Sequence, residues 1–394
     1  MKNILINKIN SLLSTKERVY FSGLIITLGI TFKEVLAHTT TNFQIFSFGS
    51  LDFWTGTNPY LNWDHISLLG KSLDKFLYGP LFSILFTPFA VLPFWLGPFC
   101  WNIFTYSLFC FSVFNLPDRF TFLQKRFVFL YSALLLFATL LSVQFNPVVA
   151  AIFLLSFTLL EKDKGFLAVL LIMISGFIKI YGFFELAILF FYPGFMKKTL
   201  YAIFISIGLF LLPVLNIPGS QILHYYMNWF STLTGHLAGF QNYSLFRLPE
   251  LFSGPVGNIS GIISVAVFLL LFGAAMLQLK IFRKSFLQRV RFLGIIMGWI
   301  ILFSTGSERH TYVIAAAGYV IWYLTVAHTL TDKILLWINF ILLGIIPIDI
   351  FCPVTISDII LDRLFLGIIF FAITWGVMVY KTFAEEENRI PDLN

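Results

Sequence analysis

Long apolar runs alternate with short polar segments along most of the chain. A run of about 20 apolar residues crosses a bilayer as a single helix. About twelve runs qualify, with approximate limits at 19–37, 79–97, 99–116, 127–143, 147–160, 165–192, 199–216, 258–279, 292–305, 311–329, 334–350 and 363–381. The pattern predicts an all-α polytopic membrane protein of about twelve transmembrane helices in one domain.

The composition supports this class. The 394 residues are 58% hydrophobic and only 11% charged, whereas soluble domains carry about 25% charged residues. So few charges cannot cover a water-soluble surface. The three cysteines lack the spacing of a metal site or a disulfide framework, so neither is predicted.

The net charge of +7 does not indicate nucleic-acid binding, because the basic residues lie in clusters between apolar runs. Such clusters hold loops on the cytoplasmic side. They predict that the N-terminus and the tail at 382–394 lie inside and that the polar segments 38–78, 217–257 and 304–310 face outward. One loop disagrees: by this count Asp118, Arg119, Lys125 and Arg126 fall outside.

The first outward segment carries acidic and aromatic residues together in LDFWTGTNPY. Asp52 lies there among Phe53, Trp54 and Tyr60. A carboxylate at the membrane boundary can accept a proton from a sugar hydroxyl. The alternative is a solvated aspartate that caps a helix. Weaker candidates in the same segment are Asp64, His65 and Asp74.

Cationic candidates occur at two places. Arg309 and His310, in STGSERHTY, precede a late apolar helix, whose N-terminus favours anions. They suit a phosphate, or they anchor the helix at the membrane edge. Lys179, in GFIKIYGFFEL, lies deep in an apolar run, where a lysine is costly and usually functional. It either contacts a lipid phosphate or ties two helices together, since Glu185 six residues on is no easy intrahelical partner.

Two further polar breaks, QFNP at 144–147 and NYSLFR at 242–247, are candidates for substrate contact or plain loops. Neither a G-x-G-x-x-G pattern nor a phosphate-binding loop signature occurs. A nucleotide is therefore not expected as the energy source.

The order of these motifs resembles glycosyltransferase family 87 of the GT-C superfamily over about residues 40–330. The motifs are D-F-x-x-x-x-x-N-P-Y, F-x-Y-x-P-L, Q-x-N-P, G-x-I-K-x-Y, N-x-S-L and the STGSERH turn. That family includes polyprenyl-phosphate-mannose-dependent mannosyltransferases and arabinofuranosyltransferases. The chain departs from it at Gly79 and at Thr305-Gly306, where proline is usual.

The resemblance implies a GT-C-type bundle with a long first extracytoplasmic loop. It assigns Asp52 as general base and places His310 near the donor phosphate, whereas Lys179 and Asn242 match recurring positions without a firm role. The expected donor-phosphate ligands are Arg309, Lys179 and Lys75, and the expected substrate contacts are Tyr60, Tyr78, Asn146, Asn242 and Arg247.

The implied reaction is an inverting transfer of a mannose-like hexose or pentose from a polyprenyl-phosphate sugar to a hydroxyl of a glycolipid or glycan. It would take place at the extracytoplasmic face of a bacterial inner (cell) membrane. The partners would be membrane lipids, the donor and the acceptor. No metal, other cofactor or nucleic acid is expected.

Two other classes compete with a glycosyltransferase. A transporter or flippase of a polyprenyl-linked sugar would need polar residues along several spans or an inverted repeat, and the sequence contains neither. An acyltransferase would pair a histidine with an acid, but Glu308 and His310 are two residues apart and point to different sides of a helix. A structural membrane subunit is the remaining alternative.

Overall fold

The computed structural model describes residues 13–61, 63–237, 242–254 and 257–384. The protein is 76% helical, with no strand in the described residues, which confirms the all-α prediction. Lys2, Lys8 and residues 385–394 of the expected cytoplasmic tail lie outside the described residues.

The described α-helices are numbered in chain order. They are α1 (Lys16–Leu36), α2 (Thr41–Thr55), α3 (Pro80–Ala90), α4 (Gly97–Phe114), α5 (Phe122–Leu141), α6 (Asn146–Glu161), α7 (Gly165–Ile178), α8 (Phe195–Leu211), α9 (Ile222–Leu237), α10 (Arg247–Ser253), α11 (Asn258–Leu277), α12 (Leu279–Lys284), α13 (Phe286–Leu302), α14 (Tyr312–Tyr323), α15 (Leu330–Asn339), α16 (Val354–Asp358) and α17 (Leu366–Ala384). The 3-10 segments are Ile180–Phe191, Leu212–Leu215, Gly219–Gln221 and Arg309–Thr311, and the π-helical segments are Phe340–Ile345 and Ile359–Arg363.

Five helices of the described chain are long and apolar enough to cross a membrane: Lys16–Leu36, Phe122–Leu141, Phe195–Leu215, Ile259–Leu277 and Leu366–Ala384. Shorter apolar helices accompany them, so the count of about twelve spans is not confirmed. The run at 79–97 forms only the 11-residue α3, about 16 Å long, and the run at 165–192 divides at Lys179.

The most deeply buried helices are α13 and α14, which cross closely. A Cβ atom on Gly294 would lie 2.5 Å from the carbonyl oxygen of Gly318. Small residues allow such close approach between membrane helices. Helices α5, α6 and α17 pack against this pair.

A basic end of the bundle is defined by contacts between helix termini. The Arg289 guanidinium donates to both carboxylate oxygens of Glu161, at 2.7 and 3.0 Å, and Arg283 Nε donates to the carbonyl of Phe190 at 3.2 Å. The guanidinium of Arg119 lies 4.8 Å from the ring centre of Phe286. The clusters that were predicted to lie inside therefore gather at one end.

The position predicted for the loop around Arg119 is wrong. Arg119 lies at the basic end, and Arg126 Nη1 donates to the carbonyl of Leu13 at 2.9 Å near the N-terminus. The cause is α3, because the 79–97 run was counted as a span and its helix is too short to cross. The 165–192 run, which divides at Lys179, also begins and ends at the basic end, with Gly165 beside Lys198 and Phe190 beside Arg283. With neither run counted as a span, this loop agrees with the other basic clusters.

The opposite end of the bundle, called here the site end, carries the two long outward segments. The segment 38–78 is not a simple loop, since α2 occupies 15 residues of it and packs on α3. Ser83 Oγ in α3 donates to the carbonyl of Gly49 in α2 at 2.9 Å. The segment 217–257 contains α9 and α10.

Candidate active site

A cavity of about 350 Å³ lies at the site end, within the size range of small-molecule sites. One wall is apolar or built of small residues, and includes Phe184, Trp229, Leu233, Gly261, Ser264, Val265, Trp299, Ile300 and Phe303. Polar side chains also line the cavity: Asn42, Asp74, Lys75, Tyr78, Gln144, Asn146, Lys179, Tyr181, Glu308 and Thr311. The cavity therefore combines charged groups with apolar surface.

Lys179 enters the cavity because its helix ends there. Helix α7 stops at Ile178, and Lys179 has an extended backbone before the 3-10 segment begins. Its ammonium donates to Asn146 Oδ1 at 2.9 Å and lies 5.0 Å from the ring centre of Tyr78. Glu185 instead accepts from Ser156, which agrees with the expectation that it is no partner for Lys179.

The QFNP break supplies two cavity groups. Asn146 is the first residue of α6, with Pro147 next, a position where the missing N–H of proline costs nothing. Gln144 Nε2 donates to Glu308 Oε2 at 3.1 Å. The break thus connects Lys179 and Glu308 through neighbouring amides, so the plain-loop interpretation does not hold for it.

Gly79 brings the end of the first outward segment onto α7. Its N–H donates to the carbonyl of Ile178 at 3.0 Å, and a Cβ atom there would lie 2.0 Å from the carbonyl oxygen of Phe177. The departure from the family's proline therefore has a steric cause. Gly79 places Tyr78 against Lys179, and Tyr60 donates its hydroxyl to the carbonyl of Tyr78 at 2.7 Å.

Glu308 is presented to the cavity by a capping structure. Its backbone N–H donates to Thr311 Oγ1 at 3.0 Å, and its side chain completes a capping box at the 3-10 segment. Burial raises the pKa of Glu308, nearby Lys179 opposes this, and the like charge of Asp74 adds to it. Asp74 itself is exposed and lines the same cavity.

Arg309 and His310 point away from the cavity, whose lining within the described chain includes neither of them. Arg309 forms a salt bridge with Asp362 and a longer one, at 3.8 Å, with Asp358. Its Nε donates to the Tyr243 hydroxyl at 3.0 Å. His310 Nε2 lies 3.0 Å from Ser142 Oγ. Burial and the charge of Arg309 lower the pKa of His310 to about 4, so its ring is neutral at pH 7.

Asp52 also lies outside the cavity lining of the described residues. Its Oδ2 is 2.7 Å from His65 Nε2, and the His65 ring stacks on Phe48 with 4.3 Å between ring centres. Asp64 is exposed.

The other expected substrate contacts are divided between the cavity and the loops. Tyr78 and Asn146 line the cavity, and so does Lys75. Asn242 is buried in the second outward segment, where it donates to Glu250 at 2.8 Å. Arg247 lies 5.9 Å from the ring centre of Phe365. Like Tyr60, neither Asn242 nor Arg247 belongs to the described cavity lining.

The sequence interpretation missed Asn42, Trp229, Tyr181 and the role of Glu308. The only signal for Glu308 was a charged residue just before a helix, and glutamate is not among the preferred N-cap residues. No such signal marks Trp229, which lies on α9 and donates Nε1 to the carbonyl of Leu77 at 3.0 Å. Within the described part of the chain, no three His, Cys, Asp or Glu side chains are grouped so that they could hold a metal ion.

The sequence profile of glycosyltransferase family 87 matches residues 76–305, more than half of the chain. The chain belongs to glycosyltransferase family 87. No curated protein sequence is significantly similar to it. The predicted resemblance is confirmed, and the protein is a membrane glycosyltransferase.

The match to family 87 spans most of the cavity but not all of it. Tyr78, Asn146 and Lys179 lie within the matched residues, whereas Asp52 and Glu308 lie before and after them. The family match therefore carries no role for either carboxylate.

Proposed function

We propose that this family 87 protein transfers a sugar from a lipid-phosphate donor to an acceptor hydroxyl in the cavity. One observation carries this proposal. Lys179 is surrounded by an amide and two tyrosine rings, and it forms no salt bridge with a carboxylate of the described residues. A buried cation without a directly bonded anion is costly, so the cavity favours an anionic ligand such as a phosphate.

The apolar wall supports a lipid as the rest of that ligand. The sugar would lie beside Tyr78 and Trp229, and the lipid chain would extend along the apolar side of the cavity. Lys179 inside and Lys75 at the exposed edge would stabilise the charge that develops on the leaving phosphate. In this proposal the sugar is a mannose-like hexose or pentose, its carrier is a polyprenyl phosphate and the acceptor is a glycolipid or glycan. The reaction takes place at the outer face of a bacterial cell membrane.

Displacement from the face opposite the phosphate would invert the anomeric carbon, and a carboxylate would accept the proton of the attacking hydroxyl. The family resemblance assigns this role to Asp52, and that assignment stays a prediction. Asp52 would have to exchange His65 for the acceptor. Asp74 and Glu308 already line the cavity and are the carboxylates favoured by its geometry.

The experiment is transfer of radiolabel from a panel of polyprenyl-phosphate sugars to membrane glycolipids by the purified protein in liposomes. The Lys179→Met variant is compared with Lys71→Met, which changes an exposed lysine of the first outward segment outside the cavity lining. We expect transfer by the wild type and Lys71→Met and a loss of about 100-fold in Lys179→Met. Movement of the donor across the bilayer without transfer would favour a flippase instead.

A further inference from the structure

Two carboxylates of the cavity differ in their surroundings. Asp74 is exposed at the edge, and no hydrogen bond or salt bridge to its side chain is formed by the described residues. Glu308 lies inside and accepts a hydrogen bond from Gln144. It has Lys179 as its nearby cation. A catalytic base must lie within hydrogen-bond reach of the proton that it removes, and the hydrogen bond from the Glu308 backbone N–H to Thr311 Oγ1 fixes the position of Glu308.

The turn at 304–310 that carries Glu308 is held in place by hydrogen bonds on the side away from the cavity. Ser307 Oγ donates to the carbonyl of Ile301 at 2.7 Å, and Tyr243 N–H donates to the carbonyl of Ser307 at 2.8 Å. Arg309 binds Asp362 on the side away from the cavity. The turn is therefore anchored on both sides of Glu308 while the carboxylate faces the cavity.

We propose that Glu308 is a catalytic residue that removes the proton from the acceptor hydroxyl, an inference that rests on the proposed function. Before a donor binds, Glu308 and Lys179 each stabilise the charged form of the other. A donor phosphate would draw on the same ammonium, which leaves Glu308 less stabilised as an anion and therefore more basic. Donor binding thus prepares the base before the acceptor reacts.

The chemical step balances with these groups alone. The acceptor oxygen bonds to the anomeric carbon, and its proton goes to the Glu308 carboxylate. The bond from the anomeric carbon to the phosphate oxygen breaks, and its electron pair leaves with the lipid phosphate beside Lys179. Asp74 lies at the cavity edge, where it can pass the proton on to solvent.

The pH dependence of transfer reports this role. The groups whose charges act on Glu308 or respond to it are Lys179, Asp74, Tyr78 and Tyr181, with Arg309 next in the chain. The pKa of Glu308 is raised, and a base works only when it is deprotonated. Wild-type kcat/KM should therefore fall, as pH decreases, at a higher pH than an ordinary glutamate with a pKa of about 4.3 would cause.

The test compares Glu308→Gln, Asp74→Asn and the control Glu250→Gln, whose carboxylate binds Asn242 outside the cavity. We expect Glu308→Gln to lower kcat by about 100-fold or more, with donor binding within a few-fold of wild type. High concentrations of sodium formate should restore part of the activity to Glu308→Ala, since formate can replace the missing carboxylate.

Several outcomes would overturn the assignment. Near-normal kcat in Glu308→Gln would exclude Glu308 as the base, and a selective loss in Asp74→Asn or Asp52→Asn would move the role there while the proposed function stands. If the glutamine variant fails to fold, the pH dependence of wild-type kcat/KM decides. A loss of activity that occurs only around the ordinary pKa of a glutamate contradicts the proposal. Absence of transfer by the wild type would instead overturn the proposed function.

Discussion

Gly79→Ala is predicted to disable the site through one added methyl group. Gly79 has φ −62° and ψ 159°, a conformation that alanine adopts without strain. On backbone grounds alone the change should stabilise the protein by about 0.4–1 kcal/mol, because it restricts the unfolded chain. Any loss must therefore come from the close contacts of the new Cβ, of which the tightest is with α7 and a weaker one, at 3.2 Å, is with the Trp229 ring.

The magnitude follows from the spacing. The new Cβ would lie 2.0 Å from Phe177 O, whereas ordinary contact begins at 3.4 Å, so the segments must separate by about 1.4 Å. That movement breaks the 3.0 Å hydrogen bond from Gly79 to Ile178, which contributes about 0.5–1.5 kcal/mol, and overpacking adds about 1–3 kcal/mol. It also moves Tyr78 away from Lys179. A displacement of about 1 Å of a group that positions the substrate can lower the rate by about 100-fold.

The assay measures sugar transfer and the melting temperature in detergent for wild type, Gly79→Ala and Gly219→Ala. Gly219 begins a 3-10 segment in the second outward segment, and a Cβ there meets nothing within 4 Å. We expect Gly219→Ala to match the wild type and Gly79→Ala to lose both stability and activity. Wild-type melting and transfer in Gly79→Ala would refute the close approach of this segment to α7.

Three more predictions follow from buried contacts. The pKa of His310 is lowered to about 4 in the folded state, whereas its ordinary value is about 6.5. As the pH falls, the unfolded chain therefore takes up the proton first, and the wild-type melting temperature should fall between pH 6.5 and 4. His310→Gln should remove this pH dependence of the melting temperature. Tyr243 and Arg309 lower the pKa of Asp362 against the effect of burial. Asp362→Asn should therefore cost roughly 1–3 kcal/mol at pH 7 and progressively less as the pH falls and Asp362 takes up a proton, with exposed Asp349→Asn as control. Gly294→Ala should destabilise by about 1–3 kcal/mol in thermal unfolding, because its Cβ would meet Gly318 O at 2.5 Å; unchanged melting would contradict that helix crossing.

Local chemistry explains which site residues could be predicted from sequence. Lys179 could be identified because a charged lysine in an apolar run is energetically costly and usually has a function. The structure places it in the cavity lining. Asn146 was marked by the polar break before a helix. Arg309 and His310 were read as a pair, because neighbours in sequence share a turn, yet their side chains diverge to Asp362 and Ser142. No pattern in the sequence shows which way each side chain of a turn points.

The sequence by itself determined the class of this protein, since the scarcity of charge and the long apolar runs require a membrane helix bundle, and its motif order determined the family. Only the tertiary structure decided the site. Lys179, Asp74 and Glu308 lie far apart in sequence and meet because α7 ends early and Gly79 allows a close approach. Such contacts depend on which helix ends pack together, and hydrophobicity alone does not show where a helix ends. The apolar run at 79–97 suggests a full span, but its helix α3 has only 11 residues.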